Sequence, residues 1–176
     1  LTTVNLTAEP NDSLQNLDGV VVNNALILSE DGNNNVLRID LSTYQVSLFK
    51  NLSHIESWIG HITYSNGYYY VCGPRSIYRF TESSNATEVA RLPVGNIVGI
   101  VVVNDRAYAT VNFNGSIYEV NLQNGNYTVF AEGLDYPYDL ETTAAETLPA
   151  ASGVDPMLYV AVAVAVIAAA AIFFLR

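Results

Sequence analysis

The chain has 176 residues, half of them hydrophobic, and 17 acidic against 7 basic side chains give a formal net charge of -10. This acidic balance argues against a protein that binds nucleic acid through a basic surface, so no DNA or RNA partner is expected. The nineteen residues before Arg176 carry no charged side chain, which excludes an entirely cytosolic globular protein and predicts a small anchored domain.

Six Asn-x-Ser/Thr sequons precede this apolar segment, and none has proline in the middle position. Their asparagines are Asn5, Asn11, Asn51, Asn85, Asn114 and Asn126. This density predicts an extracellular glycoprotein with N-linked glycans on at least three of the six sites.

Three segments of similar sequence follow one another with a period of about forty residues. They span about 17–57, 58–96 and 97–134, and Val36, Ile77 and Ile117 take the same place in each. Short runs of Val, Ile, Tyr, Phe and Thr alternate with Asn, Asp, Gly and Ser, which predicts β-strands joined by hairpin turns. The first turn of each segment is predicted at Asn23-Asn24, Asn66-Gly67 and Asn104-Asp105.

The third strand of each segment has a recurring pattern: a hydrophobic residue, an often aromatic one, an Arg or Glu, and another hydrophobic residue. The three strands are Val36-Leu-Arg-Ile-Asp40, Ile77-Tyr-Arg-Phe-Thr81 and Ile117-Tyr-Glu-Val-Asn121. Alternation in the first of them places Val36 with Arg38 on one face and Leu37 with Ile39 on the other.

Four short antiparallel strands in about forty residues make one propeller blade, and these segments resemble blades of the NHL and YVTN type. The resemblance implies an all-β fold of about three four-stranded blades over residues 1–140, and it transfers no activity. Three blades are fewer than the four to eight that close a typical propeller. Thr2–Leu6 resembles the last strand of a blade and Leu134–Leu140 the start of another.

Three arrangements satisfy these open ends: truncation of a longer propeller, association of two or more chains, or an open β stack. We expect truncation or association, so other copies of the chain or neighbouring surface proteins are expected partners. A closed monomeric propeller is not expected.

Residues 141–156 are rich in small and polar residues and predict a stalk, followed by a transmembrane helix over 157–175. The residues expected near the two membrane interfaces are Met157, Leu158 and Tyr159 at the outer end and Phe173, Phe174 and Leu175 at the inner end. Membrane lipid is therefore an expected partner, and the sequons place the amino-terminal domain outside.

No catalytic or metal-binding motif is present in the sequence. His54 and His61 lack metal-ligand spacing, and His61 is expected to have a structural place where a strand begins. Glu30–Asn35 contains oxygen donors but lacks EF-hand spacing, so it predicts a solvated hairpin turn. No cofactor is expected.

Four further residues are singled out by type. Cys72 is the only cysteine and is expected to be a buried small hydrophobic residue without a reactive thiol. Asp18, Asp135 and Asp139 are candidates for lining one end of the blades, where ordinary hydrated loop carboxylates are the alternative.

Together these features predict a non-enzymatic, membrane-anchored extracellular glycoprotein that serves as a surface structural, adhesion or binding module. The sparse charge, the many tyrosines and the many sequons resemble those of crenarchaeal cell-surface or virus-surface glycoproteins. A viral envelope or tail protein that attaches to a host is therefore the first alternative. A fragment of a propeller enzyme is the second.

Overall fold

The computed structural model describes residues 18–55 and 57–141. The chain divides into two compact units, Leu1–Thr142 and Thr143–Arg176, and every described residue belongs to the first. The predicted transmembrane helix and all but Glu141 of the predicted stalk therefore lie outside the described residues. Within the described part, no helix is long and apolar enough to cross a membrane.

The described residues form three four-stranded antiparallel sheets, which we call blades 1, 2 and 3. Blade 1 consists of β1 (Asp18–Val22), β2 (Ala25–Glu30), β3 (Asn35–Asp40) and β4 (Val46–Asn51). Blade 2 consists of β5 (Ile62–Ser65), β6 (Tyr68–Cys72), β7 (Ser76–Phe80) and β8 (Thr87–Arg91). Blade 3 consists of β9 (Ile97–Val103), β10 (Arg106–Val111), β11 (Ser116–Asn121) and β12 (Tyr127–Ala131), with a 3-10 turn at Asn112–Asn114.

Each blade is a simple meander, because consecutive strands are also neighbours in the sheet. The first hairpin of every blade closes through the two-residue turn that the sequence predicts. Asn23, Asn24, Asn66 and Asn104 all have positive φ, between 47° and 59°, and Gly67 has a φ of 83°. Asn and Gly tolerate this left-handed backbone better than other residues do, so these turns are local consequences of the sequence.

The third and fourth strands of every blade share a bulge at the same place. The register shifts between Val36 and Leu37 in blade 1, between Ile77 and Tyr78 in blade 2, and between Ile117 and Tyr118 in blade 3. In each case one residue of the fourth strand is left without a cross-strand partner. These bulge residues are Phe49, Val89 and Phe130.

The core lies between successive blades. One cluster joins residues of blade 1, such as Ile27 and Val36, to Tyr69 and Phe80 of blade 2. A second cluster joins the other face of blade 2 to blade 3. Its members are Tyr70, Cys72, Ile77, Ala90, Leu92, Ile97, Ile100, Val102, Ala107, Ala109, Val111, Tyr118, Val120 and Leu122.

Blade 1 has a second apolar face, which carries Leu28, Leu37 and Ile39. Val36 packs against blade 2, whereas Leu37 and Ile39 belong to this second face, as the alternation of β3 predicts. The all-β fold with three four-stranded sheets is therefore confirmed for the described residues.

Candidate functional site

The first strands of the three blades lie side by side, because β1 contacts β5 and β5 contacts β9. Asp18 is the first residue of β1, and His61 directly precedes β5. These residues meet at one end of the inner strands. The end is built from the start of each strand and from the loop that leads into it.

His61 joins two aspartates from distant parts of the chain. Its Nδ1 atom lies 3.2 Å from Oδ2 of Asp18 and 3.2 Å from Oδ1 of Asp139. The Asp18 oxygen also accepts a hydrogen bond of 2.8 Å from the backbone N–H of Ile62, which fixes the position of that carboxylate. The Asp139 side chain is 48% exposed, so solvent screening weakens its interaction with the imidazole.

Asp139 reaches this position because the chain beyond blade 3 continues the repeat. The backbone N–H of Leu134 donates to the carbonyl of Gly115 at 2.9 Å. Leu92 makes the equivalent hydrogen bond to Arg75, and Leu52 makes it to Asn34, each at 2.8 Å. After Leu52 and after Leu92 the chain continues to the first strand of the next blade. After Leu134 it returns toward the first strands in the same way.

The segment after Leu134 packs against the start of blade 3. The Thr110 hydroxyl donates to the Tyr138 carbonyl at 3.3 Å. A Cβ atom placed on Gly99 would lie 2.9 Å from that carbonyl oxygen and 3.1 Å from the Cα of Asp139. Only glycine leaves room for this close approach, and Gly99 therefore helps to position Asp139 beside His61.

Two clefts open beside His61 and Asp18, which line both of them. The larger has a volume of about 460 Å³. It is lined by Asp18, Asp31, Trp58, Ile59, Gly60, His61, Asn96, Val98, Asn112 and Tyr138. The smaller, of about 250 Å³, lies between the starts of β1, β5 and β9 and residues 139–141.

The electrostatic character of the clefts is negative. Asp18 and Asp31 line the larger one, and Asp18, Asp139 and Glu141 line the smaller one. None of the residues that line either cleft is Lys or Arg. Anionic ligands such as nucleotides and phosphates are therefore disfavoured here.

The larger cleft is also lined by uncharged polar and aromatic groups. Nδ2 of Asn96 donates a hydrogen bond to Oδ1 of Asn112, which joins the loop before β9 to the turn after β10. Trp58 is half-buried, and Tyr138 is 63% exposed. Aromatic side chains beside a few fixed polar groups are features of small-molecule binding sites.

The chemistry available to His61 is limited by its two neighbours. A proton on Nδ1 can be donated to either carboxylate, and such a contact orients an imidazole. The same arrangement also links β1, the start of β5 and the segment after blade 3. Among the described residues, no group of three or more His, Cys, Asp and Glu side chains could hold a metal ion.

The described sequon asparagines all have exposed side chains. They are Asn51, Asn85, Asn114 and Asn126. Asn51 ends β4, Asn85 lies between β7 and β8, and Asn126 directly precedes β12, so three of them accompany a blade's outermost strand. None of the four lines a cleft. Asn5, Asn11 and the six predicted anchor residues lie outside the described residues.

The structure places the other candidate residues in different surroundings. Asp18 and Asp139 meet at His61, whereas Asp135 and His54 are exposed and line neither cleft. Cys72 is buried, and its burial raises the pKa of the thiol to about 12. Residues 31–34 form the turn between β2 and β3. The prediction of a solvated turn is wrong for Glu30 and Asn34, which are only 1% and 6% exposed, because Glu30 ends a buried strand and accepts a hydrogen bond from the backbone N–H of Asn33 at 3.2 Å.

Sequence reasoning missed Trp58, Tyr138 and the Asn96–Asn112 pair. Their cleft forms from loops of different blades, and no local motif marks them. One signal was available, because the repeat puts Asp18 and His61 at nearly the same position, where the first strands of blades 1 and 2 begin.

No known protein-family model matches the sequence, and no curated protein matches it. Solved structures do share its fold. A chain of a nidogen/laminin complex has a TM-score of 0.62 and 14% identity, and the match covers 74% of this chain and 52% of that one. A streptogramin B lyase has a TM-score of 0.60 and 14% identity, with 75% and 45% covered.

The computationally designed Ika4 protein has a TM-score of 0.54 and 8% identity, with 78% of this chain and 84% of that chain covered. The designed Ika8 protein matches with a TM-score of 0.53, and this chain spans 40% of its length. At these identities the likeness concerns the fold alone, and it supports a propeller-like arrangement of the three sheets. One of these solved chains is an enzyme by its name.

Proposed function

We propose that this chain is a non-enzymatic, membrane-anchored extracellular glycoprotein that serves as a surface structural, adhesion or binding module. The observation that carries the proposal is the placement of the sequons. Each described acceptor asparagine is exposed, and three accompany the outermost strand of a blade. Glycans at those positions would shield β edges, which otherwise invite pairing with other chains.

The clefts around His61 supply the binding part of this proposal. They lie at the ends of the innermost strands, and none of the described sequons lines them. Glycans at Asn85 and Asn126, which precede β8 and β12, would lie at the other end of the blades and leave the clefts accessible to a partner. The absence of Lys and Arg from its lining favours a neutral or cationic partner over an anionic one.

Membrane anchoring and outward orientation rest on the sequence. The uncharged segment 157–175 is long enough for a membrane helix, and all sequons precede it. A viral envelope or tail protein is the first alternative, because the same domain and anchor would suit host attachment. Co-purification of the chain with virions or with cell envelopes separates these two sources.

Glycan mapping on the native protein tests the proposal. We expect at least three of the six sequons to be modified, with Asn85 among them because its side chain is exposed in a loop. The matched variants are Thr87→Ala, which removes that sequon, and Thr87→Ser, which keeps it. Only the first should lose the glycan. Unmodified asparagines at every site, or a chain that does not sediment with membranes, would overturn the proposal.

A propeller enzyme fragment is a second candidate, favoured by the contact of His61 with Asp18 and Asp139 inside a cleft. The solved lyase that shares the fold suggests streptogramin B as a defined probe substrate. Turnover by the full chain that is lost in His61→Gln would support an enzyme. An equal background rate for both proteins would remove this candidate substrate.

A further inference from the structure

The three blades have equivalent positions that face the next blade along the chain. On the second strand these positions are Ile27, Tyr70 and Tyr108, each of which follows the first hairpin turn by the same number of residues. On the third strand they are Val36, Ile77 and Ile117. The first two members of each set contribute to the packing between blades.

These positions are less buried in blade 3 than in blades 1 and 2. Ile27 and Tyr70 are 1% and 4% exposed, whereas Tyr108 is only partly buried. Val36 and Ile77 are 0% exposed, whereas Ile117 is again only partly buried. The outward face of blade 3 therefore has the residue types of a blade interface without the burial of one.

The bulge residues show the same contrast. Phe49 packs against blade 2, where its ring lies 5.1 Å from that of Tyr69. Phe130 occupies the equivalent bulge in blade 3 but is 46% exposed. Its ring packs edge-on against Tyr108 of its own blade, with 5.0 Å between centroids.

Charges of both signs border this face. Nη1 of Arg106 lies 2.8 Å from Oε1 of Glu119, on the same side of the sheet as Tyr108. A patch that carries both charges can pair with a copy of itself, because a two-fold axis brings the Arg of one chain toward the Glu of the other. We call Tyr108, Ile117, Phe130, Arg106 and Glu119 the blade 3 patch.

The opposite end of the described blades does not offer a matching free surface. Leu28, Leu37 and Ile39 on the second face of blade 1 are only 3% to 8% exposed. A head-to-tail contact between the patch of one copy and blade 1 of another would need that face to be open. A contact between two identical patches needs only the surface that is exposed.

We propose that the blade 3 patch binds the same patch of a second copy of this chain, which gives a closed two-fold dimer. The contact packs two like faces against each other, whereas unlike faces meet between blades 1 and 2 and between blades 2 and 3. It does not depend on glycosylation or anchoring, so it goes beyond the proposed function and stands or falls separately from it.

The expected affinity is modest. The exposed part is smaller than a full face of four five-residue strands, which measures roughly 17 Å by 19 Å, because residues 138 and 139 cover Gly99 and Thr110. Standard interfaces bury about 800 Å² per partner. Because the contact is below the standard size, we expect weak, reversible exchange between monomer and dimer.

Sedimentation of the full, unglycosylated chain in detergent, at several protein concentrations, tests the proposal. Wild type should pass from monomer to dimer and stop there. Phe130→Asp should raise the dissociation constant at least about tenfold, because it replaces the most exposed aromatic ring of the patch with a charge. Val129→Asp is the matched control, since Val129 is 50% exposed and pairs with Tyr118, whose side chain packs toward blade 2.

Cysteine cross-linking gives a second readout that does not require a destabilising change. Thr128 pairs with Glu119 at the edge of the patch, and Ser47 takes the equivalent place opposite Arg38 in blade 1. A bifunctional thiol reagent should link two copies of Thr128→Cys but not two copies of Ser47→Cys. The native Cys72 is buried and leaves the background low.

Four results would overturn the proposal. Wild type could remain monomeric at millimolar concentration, or it could grow beyond a dimer. Phe130→Asp and Val129→Asp could have the same effect on sedimentation, which would point to the apolar tail as the cause of association. The two cysteine variants could cross-link equally well.

Discussion

Substitution of two isoleucines at equivalent positions tests how the blades pack. Ile77 on β7 and Ile117 on β11 occupy the same place in blades 2 and 3. Ile77 is 0% exposed and belongs to the cluster between those blades, whereas Ile117 is partly buried on the outward face of blade 3. Replacement by Ala makes the same chemical change in two different surroundings.

The expected magnitudes follow from burial. Ile→Ala removes three carbon atoms, and at about 0.8 kcal/mol per buried methylene group the lost transfer free energy at Ile77 is about 2.4 kcal/mol. The cavity left between two packed sheets adds roughly 1 kcal/mol, so Ile77→Ala should lower the free energy of unfolding by about 3–4 kcal/mol. Ile117→Ala should cost only about 1 kcal/mol, because its side chain is already partly solvated and leaves no closed cavity.

Urea denaturation of both variants, followed by Trp58 fluorescence at concentrations below dimer formation, measures the difference. Equal slopes with denaturant are required, since they show that the two unfolding transitions expose the same surface. Equal losses of stability would mean that the outward face of blade 3 is packed like an interior. A loss below about 1.5 kcal/mol at Ile77 would mean that blades 2 and 3 do not share a core.

Three further predictions concern local features. Gly115→Ala should lower the melting temperature clearly more than Gly67→Ala. Both glycines have positive φ, but only at Gly115 would the new Cβ atom collide with a backbone carbonyl, that of Leu134. An equal effect at both sites would refute this. Cys72 should react with a thiol reagent only after unfolding, because burial raises its pKa to about 12, and rapid labelling of the native chain would contradict its buried position. The Ser42 hydroxyl and nearby backbone N–H groups lower the pKa of Asp40 to about 2. The contribution of Asp40 to the stability of the β3–β4 hairpin should therefore persist above pH 4 and disappear as the pH falls toward 2. An NMR titration of Asp40 with an ordinary midpoint near 3.8 would exclude this interaction.

The local structure of this protein could be predicted from its sequence because it depends on neighbouring residues. Asn-Asn, Asn-Gly and Asn-Asp pairs adopt left-handed backbone readily, so the first turn of each blade could be located. Alternation along Val36–Asp40 determined which side chains share a face of β3, since successive residues of a strand point to opposite sides. Three repeats of about forty residues, each with four predicted strands, predicted three four-stranded sheets.

The sequence also led to functional predictions that the described residues leave open. The transmembrane helix over 157–175, the stalk after Glu141 and the sequons at Asn5 and Asn11 lie outside them. Glycan occupancy at Asn51, Asn85, Asn114 and Asn126 also stays a prediction, although their exposure is the condition that it requires.

Only the tertiary structure decided which residues form the candidate site. Asp18 and Asp139 are separated by 121 positions of sequence, yet both lie 3.2 Å from the same nitrogen of His61. Their meeting depends on how the blades are placed around an axis, on the return of the chain after Leu134 and on the space that Gly99 leaves. None of these is encoded in a local pattern.

The same holds for the difference between the two ends of the blade stack. Tyr70 and Tyr108 occupy equivalent places in the repeat, and no local pattern shows that the first is buried and the second only partly so. Burial depends on whether another sheet is packed against a residue, which is a property of the assembled blades. The sequence therefore determined which faces are apolar, and the tertiary structure decided which of them another sheet covers.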